Sequence, residues 1–140
     1  MQTFFHDPTG LIVLKRGESL VDKLVEVAKT RQLKSAWANI IGGASSVTLG
    51  FYSLGARDYK WQTLDEELEI TGLQGNLVYL EGDPFWHLHG TFSRGDYSVI
   101  GGHVKDLIVG LTAEILLMPM EESLARAYDE ETGLKLICRL

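Results

Sequence analysis

One cysteine, Cys138, in 140 residues leaves no intrachain disulfide to hold the fold together, which fits a reducing compartment. Proline is almost missing, with three in all, and no internal repeat or low-complexity tract divides the chain. One domain spanning residues 1–140 is the expectation. Dense cationic stretches are also lacking: thirteen Lys and Arg residues are scattered through a chain of net charge −6. Phosphate backbones are gripped by clustered cations that release counterions, so direct nucleic-acid binding is disfavoured. The longest apolar run, Leu107 to Met118, is too short to span a bilayer and contains Glu114. Residues Met1 to Gly10 carry no basic leader, and place His6 and Asp7 where a secretory signal needs an apolar segment. The expectation is a cytoplasmic protein without membrane contact.

What is present suits a globular core. The chain is 45% hydrophobic and 23% charged, too apolar for disorder. A chain of this length buries roughly 68–70% of its unfolded surface. Leu20, Leu24 and Ala28, flanked by Val21, Val25 and Val27, recur at three- and four-residue spacing. Ser19 with Asp22 has capping-box spacing, so a helix is expected over Ser19 to Gln32.

Strand patterns fill the rest: Leu11 to Leu14, Ser35 to Ile41, Ser46 to Tyr52, Tyr59 to Leu64, Glu67 to Thr71 and Asn76 to Leu80. Phe85 to Phe92 and Tyr97 to Val104 flank Ser93-Arg94-Gly95-Asp96, a hairpin-sized loop. Leu107 to Met118, Leu124 to Tyr128 and Leu134 to Ile137 complete the set. The order predicts an α+β fold: a strand-rich sheet with one clear helix packed on it, not alternating βαβα.

The chemistry-bearing pattern is His87-Leu88-His89 with His103. Residues i and i+2 of a strand share a face, so His87 and His89 present two imidazoles together. The hairpin decides His103. Pairing partners whose numbers sum to an even value near 190 bring His103 to the same face. An odd sum sends it behind the sheet, since a one-residue slip reverses a strand, and a bulge at Gly101-Gly102 would change the register. Three neutral imidazoles with an open fourth position suit Zn²⁺ or another transition metal, and the alternative is a set of hydrogen-bonded sheet histidines. Glu114 and Glu69 are candidate carboxylates nearby.

Other features carry less. Gly42-Gly43-Ala44-Ser45-Ser46 lacks the Gly-Lys-Ser/Thr ending of a phosphate loop, and tight turning or close approach of subunits explains it better. Neither Ser45 nor Ser46 sits in a nucleophile elbow. Cys138 reads as a small buried hydrophobe. Trp37, Trp61 and Trp86 read as core or interface anchors, with Trp86 facing away from His87.

Several segments, in order along nearly the whole chain, resemble the PPC domain (plants and prokaryotes conserved). They include Leu14-Lys15-Arg16-Gly17-Glu18, Ile41-Gly42-Gly43-Ala44, Leu49-Gly50-Phe51-Tyr52 and Leu68 to Asn76. His87-Leu88-His89, Ile100-Gly101-Gly102-His103-Val104, Thr112-Ala113-Glu114-Ile115 and Tyr128 to Leu134 continue the series. The resemblance implies a mixed, largely antiparallel β-sheet with one main flanking helix, a homotrimer and, in some members, metal at the matching histidines. Plant members carry the domain behind AT-hook motifs and help assemble transcription-related complexes; prokaryotic members often stand alone. This chain departs twice. It has no Arg-Gly-Arg-Pro core, and the plant partner-contacting stretch Gly-Arg-Phe-Glu-Ile-Leu falls on Glu66 to Thr71, where two carboxylates replace a glycine and a cation.

The reading favoured is therefore a homotrimeric binding or scaffold module linked to transcription regulation or DNA, with regulatory proteins as further partners. Its metal site would be His87, His89 and His103. The rival is a zinc-dependent hydrolase or lyase acting on a small molecule, with Glu114 or Glu69 as base.

Overall fold

In the computed structural model, which describes residues 1–139, Ser19 caps the one helix among those residues, α1 (Leu20–Thr30). Its Oγ accepts a hydrogen bond from the Asp22 backbone N–H at 3.2 Å, which satisfies one of the orphan donors of the first turn. Leu20, Leu24, Val27 and Ala28 are buried along one stripe. The helix stops two residues before Gln32. The Gln32 and Leu33 N–H groups bond back to Lys29 and Ala28, and Gln32 takes a left-handed φ of 53° that turns the chain away.

The remaining elements are β1 (Gln2–His6), β2 (Thr9–Lys15), β3 (Ser35–Ser53), β4 (Asp58–Leu64), β5 (Leu68–Leu80), β6 (Asp83–Ser93), β7 (Val99–Met120), β8 (Leu124–Tyr128) and β9 (Lys135–Arg139). They form one nine-stranded sheet, antiparallel throughout except for a parallel contact of Tyr79 with Ala125 between β5 and β8. Strands β3, β5, β6 and β7 pair in a closed circuit. The sheet therefore curls round its own apolar side chains, among them Ile40, Leu73, Leu88 and Phe92, and α1 adds its stripe to the same core. The expected α+β class and flanking helix are both present. Among the described residues no helix is long and apolar enough to cross a membrane.

Three strands are longer than the sequence pattern indicates. Ser35 to Ile41 and Ser46 to Tyr52 are halves of β3, Glu67 to Thr71 and Asn76 to Leu80 belong to β5, and Tyr97 to Val104 and Leu107 to Met118 lie within β7 or run into it. The glycines that suggested turns allow bulges and close approach instead. Register shifts flank Gly42 on both sides, its φ is +143°, and a Cβ there would lie 2.1 Å from the Thr112 carbonyl oxygen. Glycine is required because β7 passes against it. The approach is within the chain. β1 was not anticipated; it pairs with β2 from Gln2↔Val13 to His6↔Thr9, and its sequence has no clean alternation.

Candidate metal centre

Leu88 is fully buried, and its neighbours His87 and His89 point to the other face of β6. The hairpin turn is closed by the Arg94 N–H to the Ser98 carbonyl and the Tyr97 N–H to the Arg94 carbonyl. Pairing then runs unbroken from Ser93↔Val99 to Leu88↔Val104, so partner numbers sum to 192 and His89 lies directly opposite His103. Gly101 and Gly102 host no bulge between β6 and β7; they pair in step with Thr91 and Gly90. The even register brings all three imidazoles to one face.

Their rings form a near-equilateral triangle, with centroid separations of 4.9, 5.1 and 5.2 Å. Nε2 of His87 and Nε2 of His89 approach to 3.1 Å, and one ring nitrogen from each of the three histidines lies within 4.8 Å of the others. Two nitrogens bound to one tetrahedral zinc at about 2.0–2.1 Å stand roughly 3.4 Å apart. The His87–His89 pair already has nearly that spacing. In addition, Nδ1 of His103 is buried with no hydrogen-bond partner.

The walls follow from the same register. A row across β6, β7, β3 and β4 reads His89, His103, Gly50, Trp61. Gly50 has no side chain, so the Trp61 ring lies across it; a Cβ there would come 2.5 Å from the ring. Trp61 thereby meets His103 edge-on at 5.7 Å, and Tyr59 stacks on Trp61 at 4.6 Å while reaching His103 at 5.1 Å. On the other flank, β5 sets Asn76 opposite His87. Asn76 Oδ1 accepts from Arg126 Nη2 at 3.2 Å.

This enclosure favours neutral rings. Burial, aided by the Arg126 charge and the neighbouring histidines, pushes His87 down to about 4. Burial first, then the charges of His89 and Arg126, does the same to His103, also to about 4. His89 is lowered by burial alone. Metal ligands must be deprotonated imidazoles, and these three are held ready near neutrality. The donor set, all nitrogen with an open side, fits zinc or a similar ion. No carboxylate hydrogen-bonds to the trio among the described residues; the one bond recorded for these rings is between His87 and His89.

The two carboxylates named from sequence do not join the site. Glu114 lies eleven residues along β7 from His103, roughly 36 Å at strand rise, opposite Val13 and Ile41. Glu69 pairs with Ser93, four residues along β6 from His89. Strand spacing keeps both away, so neither is placed to act as base there. Trp86 does face the core, but it also lines the cavity that His87 and His103 line, because β6 and β7 stop pairing at Leu88, two residues short of it. Cys138 is half-exposed on β9, not buried. His6 belongs to the distant β1–β2 hairpin. Arg126, Tyr59 and Asn76 were missed; an isolated arginine on a short strand gives no sequence signal of its neighbours.

The family model described as the Plants and Prokaryotes Conserved (PCC) domain matches residues 7–121. The chain belongs to that family. Among solved structures, a plant- and prokaryote-conserved (PPC) protein from Pyrococcus horikoshii is 27% identical, with TM-score 0.87, over 99% of this chain and 94% of that one. A protein from Archaeoglobus fulgidus, described as metal-containing, is 30% identical, with TM-score 0.88, over 99% of each chain. A Bacteroides thetaiotaomicron protein, provisionally described as DNA-binding, is 25% identical, with TM-score 0.94, over 99% of this chain and 96% of that one. No curated protein matches the chain.

Proposed function

We propose that this PCC-domain protein is a homotrimeric binding or scaffold module in which His87, His89 and His103 hold Zn²⁺ or another transition metal. The convergence of three imidazoles, two of whose nitrogens stand 3.1 Å apart, carries the reading. The metal-containing description of the Archaeoglobus relative supports it. Among the described residues no carboxylate joins the trio, which favours binding over hydrolysis or lyase chemistry.

The outer face of the sheet supports self-association. Leu11 and Leu116 are direct cross-strand neighbours, and with Ile41 and Leu111 they stay between 41% and 69% exposed. Contiguous apolar surface of this kind marks an interaction site, and further copies of the chain would cover it. A net charge of −6 favours protein partners over direct DNA contact for any role in transcription. The provisional DNA-binding description of the Bacteroides relative fits such an association, and the lone free cysteine fits the cytoplasm.

Elemental analysis of protein purified without added metal tests the centre, with light scattering to read the assembly. About one transition-metal ion per chain is expected, lost in His87→Ala and His103→Ala, in a particle of three chains. Metal that persists in both variants, or a monomer at micromolar concentration, refutes the corresponding half of the reading.

A further inference from the structure

Among the described residues, three buried side-chain nitrogens lack a hydrogen-bond partner: Trp86 Nε1, His103 Nδ1 and Arg126 Nε. All three residues line one cavity of about 460 Å³. Two of these atoms are obligate donors, and buried donors lose stability unless an acceptor meets them. Their clustering at one cavity points to an acceptor-rich occupant.

The cavity arises where β6 and β7 stop pairing beyond Leu88↔Val104, and residues of β8 and β9 wall it. Its volume lies within the roughly 300–1,000 Å³ of small-molecule sites. Tyr59, Trp61, Phe85 and Trp86 give it aromatic walls. Its charge is one-sided: among the described residues Lys105, Arg126 and Lys135 line it, and no Asp or Glu does. In a chain of net charge −6 that is a local reversal of field. Lys135 is already paired with Glu81 at 2.8 Å. Arg126 is held in place by donating Nη1 to the Lys135 carbonyl at 2.8 Å and Nη2 to Asn76. Among the described residues that leaves Nε without a partner and the guanidinium charge without a carboxylate.

We propose that this cavity binds a small organic carboxylate with an aromatic or branched apolar body, its acid group toward Arg126 and its body against the aromatic walls. The proposal deepens the binding-module reading by naming a ligand class, and it requires no metal ion. Benzoate and its neutral isostere benzamide are titrated by calorimetry into the full chain, once after chelator treatment and once loaded with zinc. Indole N–H resonances are followed in parallel by NMR.

Benzoate is expected to bind at least about tenfold more tightly than benzamide in both forms, the share of a charge-assisted contact. It should shift the Trp86 and Trp61 signals and spare Trp37, whose Nε1 bonds to Asn39 on the outer face. Arg126→Gln should lose that preference. Because this change could loosen the β8–β9 hairpin, Lys105→Gln serves beside it: a solvent-exposed cation, its loss should weaken benzoate severalfold at unchanged melting temperature. Equal affinity for the two probes, or no benzoate binding at about 10 mM, overturns the proposal. So does benzoate binding to the zinc form alone, which would put the acid on the ion and leave the metal reading standing. Benzoate binding to a protein that takes no metal would have the opposite meaning, with the cavity upheld and the metal centre refuted.

Discussion

Gly75 sits in β5 directly behind the backbone that carries His87, and replacing it with alanine should separate two strands. A Cβ at Gly75 would lie 2.0 Å from the His87 carbonyl oxygen, 2.9 Å from its carbon and 2.8 Å from Leu88 Cδ2. The first two are backbone atoms, which no side-chain rotation relieves. Restoring ordinary contact requires β5 and β6 to part by more than an ångström at a spacing normally near 4.8 Å. Overpacking of this kind costs about 1–3 kcal/mol, and each ladder hydrogen bond stretched out of geometry adds about 0.5–1.5 kcal/mol. Gly75→Ala is therefore expected to destabilise the protein by roughly 2–4 kcal/mol, which for a domain of this size lowers Tm by roughly 5–15 °C. Gly72, three residues earlier in the same strand, is the control: its Cβ would meet only Thr91 Oγ1, at 3.7 Å. Gly72→Ala should be neutral or stabilising by about 0.5 kcal/mol. Urea unfolding of both variants by circular dichroism gives the comparison. Equal stabilities, or a Gly75→Ala loss below about 0.5 kcal/mol, would refute the claim that the β5–β6 contact behind the histidines is set by backbone approach.

Three further outcomes are expected. His89→Ala should weaken zinc binding by more than about 100-fold, beyond what loss of a supporting outer contact costs, as read by competition with a chromophoric chelator. Metal-free protein should lose stability as pH falls from 6.5 toward about 4: His87 and His103 stay neutral in the fold to about 4, while the unfolded chain takes up protons from 6.5 downward. The lowered carboxylates Glu18, Glu81, Asp96 and Asp129 act with the same sign but below their ordinary values near 4. A double His87→Gln, His103→Gln variant should thus flatten the urea midpoint between pH 6.5 and 5 specifically. Ser19→Ala should cost about 1 kcal/mol, since its Oγ accepts the Asp22 N–H, measured by the same unfolding assay.

Local rules carried much of this protein. The apolar stripe from Leu20 to Ala28 needs only helical periodicity, and the structure buries those positions. The outward pairing of His87 with His89 needs only strand alternation around Leu88. These features depend on neighbours within one or two turns or strand repeats, and so the amino-acid order determines them. His103 was different, because its face depends on the register across the hairpin, and the residues Ser93 to Asp96 allow either parity. Tertiary pairing chose 192. Strand length was likewise hidden: Gly42 and Gly75 look like turns in one dimension and are close contacts with β7 and β6 in three. The gathering of Arg126, Tyr59, Trp61 and Trp86 round one cavity was not legible at all. It requires three strands far apart in sequence, β4, β6 and β8, to meet, and no local preference specifies which distant residue arrives. Composition and periodicity settled what each segment is; register, bulges and the parting of β6 from β7 settled what it faces.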